Sequence, residues 1–138
     1  MTEQTFEYQT FVRLHATDAA GVMYYSQLFI LIHEAYESLL DSLDLRLADI
    51  IREKPYLLPI VHAEADYSLP AMVGDKLIIN IKSISLNEKS YAVLFEIVNN
   101  DGEIVATAKT VHASIDKTSR KTIPLPQDIT DSFAKFAS

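Results

Sequence analysis

The chain has 138 residues, of which 49% are hydrophobic and 22% charged, and its formal net charge is −7. This length and composition predict one soluble globular domain over residues 1–138. The acidic balance argues against non-specific nucleic-acid binding, and the lack of cysteine excludes disulfides, thiolate metal sites and a cysteine nucleophile. Residues 1–8 do not resemble a secretory signal and no apolar run reaches membrane-spanning length, so we expect a cytoplasmic protein without a membrane partner.

The first half of the chain predicts one strand and one long helix. Alternating apolar residues predict a strand at 5–14, and the small and polar residues up to Gly21 predict a loop. Neither proline nor glycine interrupts residues 24–43, where apolar residues recur at helical spacing. The first half of this helix is apolar nearly all round, so we expect its N-terminal end to be enclosed. A short helical turn is expected at 45–52.

The second half alternates apolar and polar residues, which predicts four further strands. These begin near residues 61, 77, 90 and 103. The alternation slips between Ile81 and Ile84, which predicts a bulge, and the Asn-Asn-Asp-Gly run at 99–102 predicts a hairpin turn. A short helix is expected at 128–137. The predicted fold class is therefore α+β, with an antiparallel sheet of about five strands wrapped around one long central helix.

Motifs for several kinds of chemistry are absent from the sequence. It contains no Gly-x-Ser-x-Gly elbow for a serine hydrolase, no glycine-rich phosphate loop and no clustered histidines for a metal site. We therefore expect neither a metal nor a cofactor.

The loop at 17–25 (TDAAGVMYY) is the remaining candidate for chemistry, because Asp18 stands shortly before the long helix. Free N–H groups at a helix start can stabilise an oxyanion, and a carboxylate beside them can attack a thioester or deprotonate a water. By residue type and position alone, a helix cap or a turn former is the more common role of such an aspartate.

Two segments resemble the 4-hydroxybenzoyl-CoA thioesterase family. Residues 12–25 (VRLHATDAAGVMYY) are similar to its signature, and residues 66–77 (DYSLPAMVGDKL) to its Asp-Tyr-x-x-Pro-x-x-x-Gly-Asp segment. The resemblance covers about residues 5–115, with Ala16 as a departure where relatives often have an acidic or polar residue. It implies a hotdog fold and a CoA thioester as substrate, with Asp18 as catalytic nucleophile or general base and the N–H groups of Tyr24 and Tyr25 as oxyanion donors. It also implies a homodimer or homotetramer, because the family builds its sites between subunits joined edge to edge.

Residues 33–37 (HEAYE) and 58–63 (LPIVHA) are most similar to the family members that act on 1,4-dihydroxy-2-naphthoyl-CoA in quinone biosynthesis. A flat aromatic acyl group is implied, and the residues expected to contact it are Gly21, Val22, His33, Tyr36 and His62. Alternatives remain open at three of these positions. His33 can pair with Glu37 or face solvent, His62 can be an ordinary surface residue, and Tyr36 can be a core aromatic.

The only cluster of positive charge consists of Lys117, Arg120 and Lys121, which we expect to contact CoA, with a solvated loop as the alternative. Three alternatives to this function can be compared with it. The substrate can be a short-chain or 4-hydroxybenzoyl thioester, or an acyl carrier protein thioester. The protein can be a non-catalytic acyl-binding member of the fold. A hydratase is disfavoured, because the His-x-x-Gly-x-Pro loop of that branch is missing.

Overall fold

The computed structural model describes residues 4–137. The strands are β1 (Phe6–Phe11), β2 (Tyr56–Leu57), β3 (Ile60–Tyr67), β4 (Lys76–Leu86), β5 (Ser90–Asn99), β6 (Ile104–Ala113) and β7 (Ile115–Asp116). The helices are α1 (Gln27–Ser42), α2 (Leu47–Glu53) and α3 (Gln127–Phe133), with 3₁₀ turns at Leu14–Ala16 and Ala134–Phe136. No helix among these residues is both long enough and apolar enough to cross a membrane.

Five strands form one antiparallel sheet in the order β1-β4-β5-β6-β3, and α1 packs against it. The predicted α+β arrangement, a sheet of about five strands around one long helix, is confirmed. Strands β2 and β7 pair with each other in a separate ribbon of two residues each. The sequence did not predict this ribbon, because two residues are too few to show a period.

The core lies between α1 and the sheet. Leu28, Ile32 and Leu39 on α1 are at most 1% exposed, and Ile79 and Ile97 on the central strands are fully buried. Spacings of four and seven residues place these helix side chains on one face, while the alternation of a strand places Ile79 and every second residue from it on the inner face of the sheet. Burying each such side chain stabilises the fold by roughly 1.5–3 kcal/mol.

The predicted bulge and the predicted hairpin turn are both confirmed. Ile81 is paired with Phe95 but Ser83 with Leu94, so one extra residue of β4 lies between them. This bulge is the reason that Ile81 and Ile84 are both fully buried in spite of their odd spacing.

The hairpin between β5 and β6 is closed by Asn99, whose Oδ1 accepts hydrogen bonds from the N–H groups of Asp101 and Glu103, each at 3.0 Å. Gly102 supplies the left-handed conformation, with φ of +78°.

The expectation that the N-terminal half of the long helix is enclosed is wrong for the single chain. Tyr25 is 63% exposed and Ile30 52% exposed. The sheet covers only one side of α1, so apolar side chains around the helix start remain available to a ligand or to another chain.

Strand β3 is an open edge of the sheet. It pairs with β6 on one side only, and seven of its eight residues are exposed, Ala65 being the exception. Such an edge presents unpaired backbone N–H and C=O groups in a row, which favours pairing with a further strand.

Candidate active site

The two motifs singled out in the sequence meet in space. The loop that contains Asp18 lies against residues 71–75: Met23 N–H donates to the Ala71 carbonyl (2.7 Å), and Val73 N–H donates to the Gly21 carbonyl (2.8 Å). Asp75 holds the second segment in turn, because its Oδ2 accepts a hydrogen bond from Met72 N–H at 2.8 Å. The similarity of these distant segments to one family signature therefore has a structural basis in direct contact.

Asp18 uses one carboxylate oxygen to fix its own loop. Its Oδ1 accepts hydrogen bonds from the N–H groups of Ala20 (2.8 Å) and Val22 (3.2 Å), and its backbone N–H donates to the Val22 carbonyl (2.9 Å). Oδ2 makes no hydrogen bond with residues 4–137, and the side chain is exposed. Asp18 is thus a turn former, as one alternative held, but it also presents a free carboxylate oxygen to solvent.

Gly21 is needed in this loop for its backbone conformation. Its φ of +79° is one that side chains rarely adopt, whereas a Cβ added there would meet Val73 Cγ1 at an ordinary contact distance of 3.7 Å. The loop therefore requires glycine because of strain and not because another group approaches its backbone.

The two predicted oxyanion donors differ in availability. Tyr24 N–H donates to the Ala16 carbonyl at 2.9 Å, so the prediction for Tyr24 is wrong: a donor already paired inside the loop cannot bind a substrate oxygen. Tyr25 N–H has no partner within residues 4–137. It lies just before Ser26, the N-cap of α1, where the helix dipole adds positive potential.

The conformation of Tyr25 is fixed from the sheet. The Tyr67 hydroxyl at the end of β3 donates a hydrogen bond to the Tyr25 carbonyl. Sequence reasoning missed this contact, because only the fold brings the two tyrosines together, although Tyr67 lies within the motif at residues 66–77.

A mainly apolar cavity of about 270 Å³ lies beside the loop. The residues that line it include Val22, Tyr25, Tyr67, Leu69 and Pro70. Val22 therefore lies beside a cavity large enough for a ligand. The other residues predicted to contact the acyl group do not line this cavity in the single chain; they are Gly21, His33, Tyr36 and His62.

Tyr36 lies in the core and not in a surface slot, so the prediction that it contacts the acyl group is wrong for its own chain. It is 2% exposed, and its hydroxyl shares a hydrogen bond with that of Tyr91. Burial raises the pKa of both hydroxyls. His33 stacks on the Tyr36 ring at 6.0 Å between centroids and is itself exposed. It stands eight residues beyond Tyr25, roughly 12 Å further along the helix axis.

A buried histidine completes this aromatic cluster. His112 is 1% exposed and stacks on Tyr91 at 4.8 Å and on Tyr36 at 4.7 Å. Its Nε2 is 3.0 Å from Thr110 Oγ1. The sequence contained a signal for this position, because His112 has the same parity along β6 as the buried Ala106 and Ala108.

His62 lies on the polar side of β3, as the alternation of apolar and polar residues predicts. Its Nε2 is 2.9 Å from Glu64 Oε1, and the two side chains are 55% and 52% exposed. Its partner across the ladder is Val111, which places it on the outer face of the sheet. Within residues 4–137 no hydrogen bond or ion pair joins His62 to the Asp18 loop.

The basic cluster lies at the other end of the sheet. Lys117 N–H donates to the Pro55 carbonyl, and Lys117 Nζ donates to the Ile51 carbonyl. Arg120 (φ +64°) and Lys121 are exposed in the turn that follows β7. This turn follows the end of β6, whereas the Asp18 loop lies near its start, and ten strand residues span roughly 30 Å. The three residues are thus remote from Asp18 of their own chain.

No group of three histidine, aspartate or glutamate side chains within residues 4–137 is arranged to hold a metal ion. The chemistry available to the site comes from the Asp18 carboxylate, the Tyr25 N–H and the start of α1.

Comparison with known proteins identifies the class. The sequence model of the thioesterase-like superfamily matches residues 12–133, and the chain belongs to this family. The fold is the hotdog fold of that family.

Individual relatives are similar to this chain over most of its length. A 1,4-dihydroxy-2-naphthoyl-CoA hydrolase from Synechococcus elongatus is 36% identical over 127 residues, which cover 91% of this chain and 93% of the relative. The enzyme of that name from Synechocystis is 40% identical over 124 residues, covering 89% and 90%. The crystal structure of a 1,4-dihydroxy-2-naphthoyl-CoA thioesterase from Synechocystis superposes with a TM-score of 0.89 at 38% identity, covering 95% of this chain and 96% of that one.

The buried histidine gives a prediction about pH. Burial lowers the pKa of His112 to about 4, against a hydrogen bond with the Leu58 carbonyl that favours the charged form. Between pH 6.5 and 4 the unfolded chain then binds a proton that the folded chain excludes, so the free energy of unfolding decreases as the pH falls through this window, by up to about 3 kcal/mol.

NMR titration of the histidine rings measures this directly. We expect the His112 ring to remain neutral down to about pH 4, and the exposed His15, replaced by glutamine, provides a control that leaves the buried ring unchanged. A titration midpoint for His112 near the ordinary histidine value would contradict the prediction.

Proposed function

We propose that this protein hydrolyses an aromatic acyl-CoA thioester, with 1,4-dihydroxy-2-naphthoyl-CoA as substrate and quinone biosynthesis in the cytoplasm as its setting. The observation that carries the proposal is that the two carboxylate oxygens of Asp18 differ in their contacts. One oxygen holds the loop while the other is free, and both lie in the segment that leads to an unpaired N–H before a long helix.

In the proposed reaction the Tyr25 N–H donates a hydrogen bond to the thioester carbonyl oxygen, which gains negative charge as the carbonyl carbon is attacked. The attacking group is either Asp18 Oδ2 or a water that Asp18 deprotonates. In the first case an acyl anhydride forms and CoA leaves as thiolate, after which water releases the acid and restores the carboxylate. In the second, water adds directly and the thiolate leaves from the tetrahedral intermediate.

The acyl group is proposed to enter the cavity beside Val22 and Tyr25. Its apolar walls and the two flanking tyrosine rings, Tyr25 and Tyr67, suit a flat ring system. A cavity of about 270 Å³ that is open on one side leaves room for a second chain to complete the enclosure.

We propose further that two chains pair through their β3 edges as a homodimer, which can assemble further into a homotetramer. Antiparallel pairing about a twofold axis brings the start of one β3 beside the end of the other. The end of β3 carries Tyr67 and thus lies near the catalytic loop, while its start follows the β2–β7 ribbon.

This pairing gives the distant residues a role. The partner's Arg120, the partner's Lys121 and the partner's His33 would approach a site from which the same residues of its own chain are remote. The basic turn is then suited to the CoA phosphates of the neighbouring site, with Lys117 restrained by its bond to Ile51. His62 would lie at the subunit interface, and its contact with the acyl group stays a prediction.

Asp18→Asn tests the catalytic role. Asparagine keeps an oxygen that can accept the hydrogen bonds from Ala20 and Val22, so the loop should survive, but the amide can neither attack nor deprotonate water. We expect kcat to fall about a thousandfold, equivalent to roughly 4 kcal/mol of transition-state stabilisation. Asp101→Asn in the exposed hairpin serves as the matched control and should hydrolyse normally. Turnover near the parental value in the Asp18 variant would remove this residue from catalysis.

Substrate preference tests the acyl group. A site that hydrogen-bonds ring hydroxyls discriminates against analogues that lack them, because its polar groups are then left unpaired. We expect kcat/KM for 1,4-dihydroxy-2-naphthoyl-CoA to exceed that for a short aliphatic acyl-CoA by at least about a hundredfold, or roughly 2.7 kcal/mol. Equal values would refute the naphthoyl assignment and leave thioester hydrolysis in place, whereas release of no CoA from either substrate would favour a non-catalytic acyl-binding protein.

A further inference from the structure

The direction of the backbone groups along the open edge of β3 follows from its contact with β6. Ser68 N–H donates to the Val105 carbonyl at 2.8 Å, just beyond the last paired residues, Tyr67 and Ala106. Hydrogen-bonding direction alternates along a strand, so beyond the bulge between Ile60 and His62 the even-numbered residues from His62 to Asp66 point their N–H and C=O groups toward β6. The groups free to bind another strand therefore belong to the odd-numbered residues at 63, 65 and 67.

The side chains along the same edge carry a charge pattern. His62, Glu64 and Asp66 lie opposite Val111, Lys109 and Thr107 of β6 and therefore share the outer face of the sheet. Ala63 and Ala65, which lie opposite the buried Thr110 and Ala108, are on the inner face. One end of the outer row thus carries an imidazole and the other carries two carboxylates.

We infer that the β3 edges of two copies pair in the register in which Ala63 lies opposite the partner's Ala63. His62 then faces the partner's Glu64, and the twofold axis repeats the pair, so two His–Glu contacts cross the interface. This inference rests on the edge-to-edge dimer proposed above and specifies how the two strands align, which that proposal left open.

Symmetry limits the choice of register. Residues directly opposite each other in an antiparallel pair lie on the same face, so the twofold axis must pass beside one residue and not between two. Each candidate register is therefore defined by the residue that meets its own copy. Shifting the centre by one residue changes every charged contact on the outer face.

The neighbouring registers are less favourable. A centre at Glu64 places two carboxylates directly opposite each other, and a centre at Ala65 places Glu64 against the partner's Asp66. Like charges in opposed positions destabilise strand pairing. A centre at His62 opposes two histidines and leaves the acidic end of β3 unpaired.

The other charged groups on the outer face do not change which register is favoured. Glu64 lies opposite Lys109 across the β6 ladder and 2.9 Å from His62 of its own chain, and both contacts are the same in every register because they lie within one chain. Lys82 and Glu96 line a hollow on the outer face of the sheet together with Glu64 and Asp66. They lie on β4 and β5, further from the interface than β3.

The register also determines what approaches the active site. With Ala63 at the centre, the start of the partner's β3, where the strand has a bulge between Ile60 and His62, comes beside Tyr67, the tyrosine that holds Tyr25. The second chain would then close the open side of the cavity between Tyr25 and Tyr67.

Disulfide trapping tests the register, and the chain is suited to it because it contains no cysteine. We would prepare His62→Cys, Glu64→Cys and Asp66→Cys, coexpress them in pairs and expose the purified protein to a mild oxidant. Opposed residues without mutual backbone bonds have Cα atoms about 4.5 Å apart, within disulfide range, whereas diagonal neighbours are about 7–8 Å apart.

The proposed register predicts rapid cross-linking of the His62→Cys and Glu64→Cys pair, with little cross-linking of Glu64→Cys alone or of the His62→Cys and Asp66→Cys pair. Cross-linking of Glu64→Cys alone would instead place the centre at Glu64 and overturn the inference. A protein that sediments as a monomer would overturn it as well.

Circular dichroism of the variant pairs and the rate of thioester hydrolysis by the parental protein separate the possible failures. Folded variant pairs that cross-link as expected, together with a parental protein that releases no CoA, would refute the proposed activity and support the register. A parental protein that hydrolyses the substrate, together with folded variant pairs that cross-link in a different pattern, would refute the register and support the activity.

Discussion

The hydrogen bonds from Ala20 and Val22 to one oxygen of Asp18 are the interaction on which the candidate site depends. They turn a short run of small residues into a rigid loop, and the loop then docks on residues 71–75 through backbone bonds of 2.7–2.8 Å. The same turn directs the chain into α1, and the Tyr25 N–H has no partner in the described part of the chain. In the proposed mechanism fold and chemistry share one carboxylate, with one oxygen used for structure and the other without a partner among residues 4–137.

A single chain leaves this site incomplete. Tyr25 is 63% exposed, the cavity beside it is open, and the strand that forms its far wall is an edge with unpaired backbone groups. These features belong together, because Tyr67 on that strand holds the Tyr25 carbonyl. A second copy on the edge would satisfy the backbone, cover the apolar surface and bring a basic turn toward the site, so the proposed activity and the proposed dimer have a common physical origin.

Local patterns predicted the fold well and the site in part. The slip in alternation at Ile81 and the Asn-Asn-Asp-Gly run are determined by neighbouring residues, and the structure contains both the bulge and the hairpin. The start of the long helix was placed three residues early, because the chain before it is held in a loop by backbone hydrogen bonds to residues 71–73, a tertiary contact without a local signal. Tyr36 could have been identified as a core residue, since it shares the buried stripe of Ile32 and Leu39. The Tyr67–Tyr25 contact depends on tertiary structure and had no local signal.

Mixed dimers test most directly whether the site is shared between chains. One chain carries Asp18→Asn, and the other carries Arg120→Asp with Lys121→Glu, aspartate being tolerated at the left-handed conformation of residue 120. The first variant alone should be inactive, and the second alone should show a raised KM for the CoA thioester. In the heterodimer one site combines an intact Asp18 with the intact basic turn of the partner, so we predict that the parental KM returns. A KM that stays at the raised value would contradict a site built from two chains.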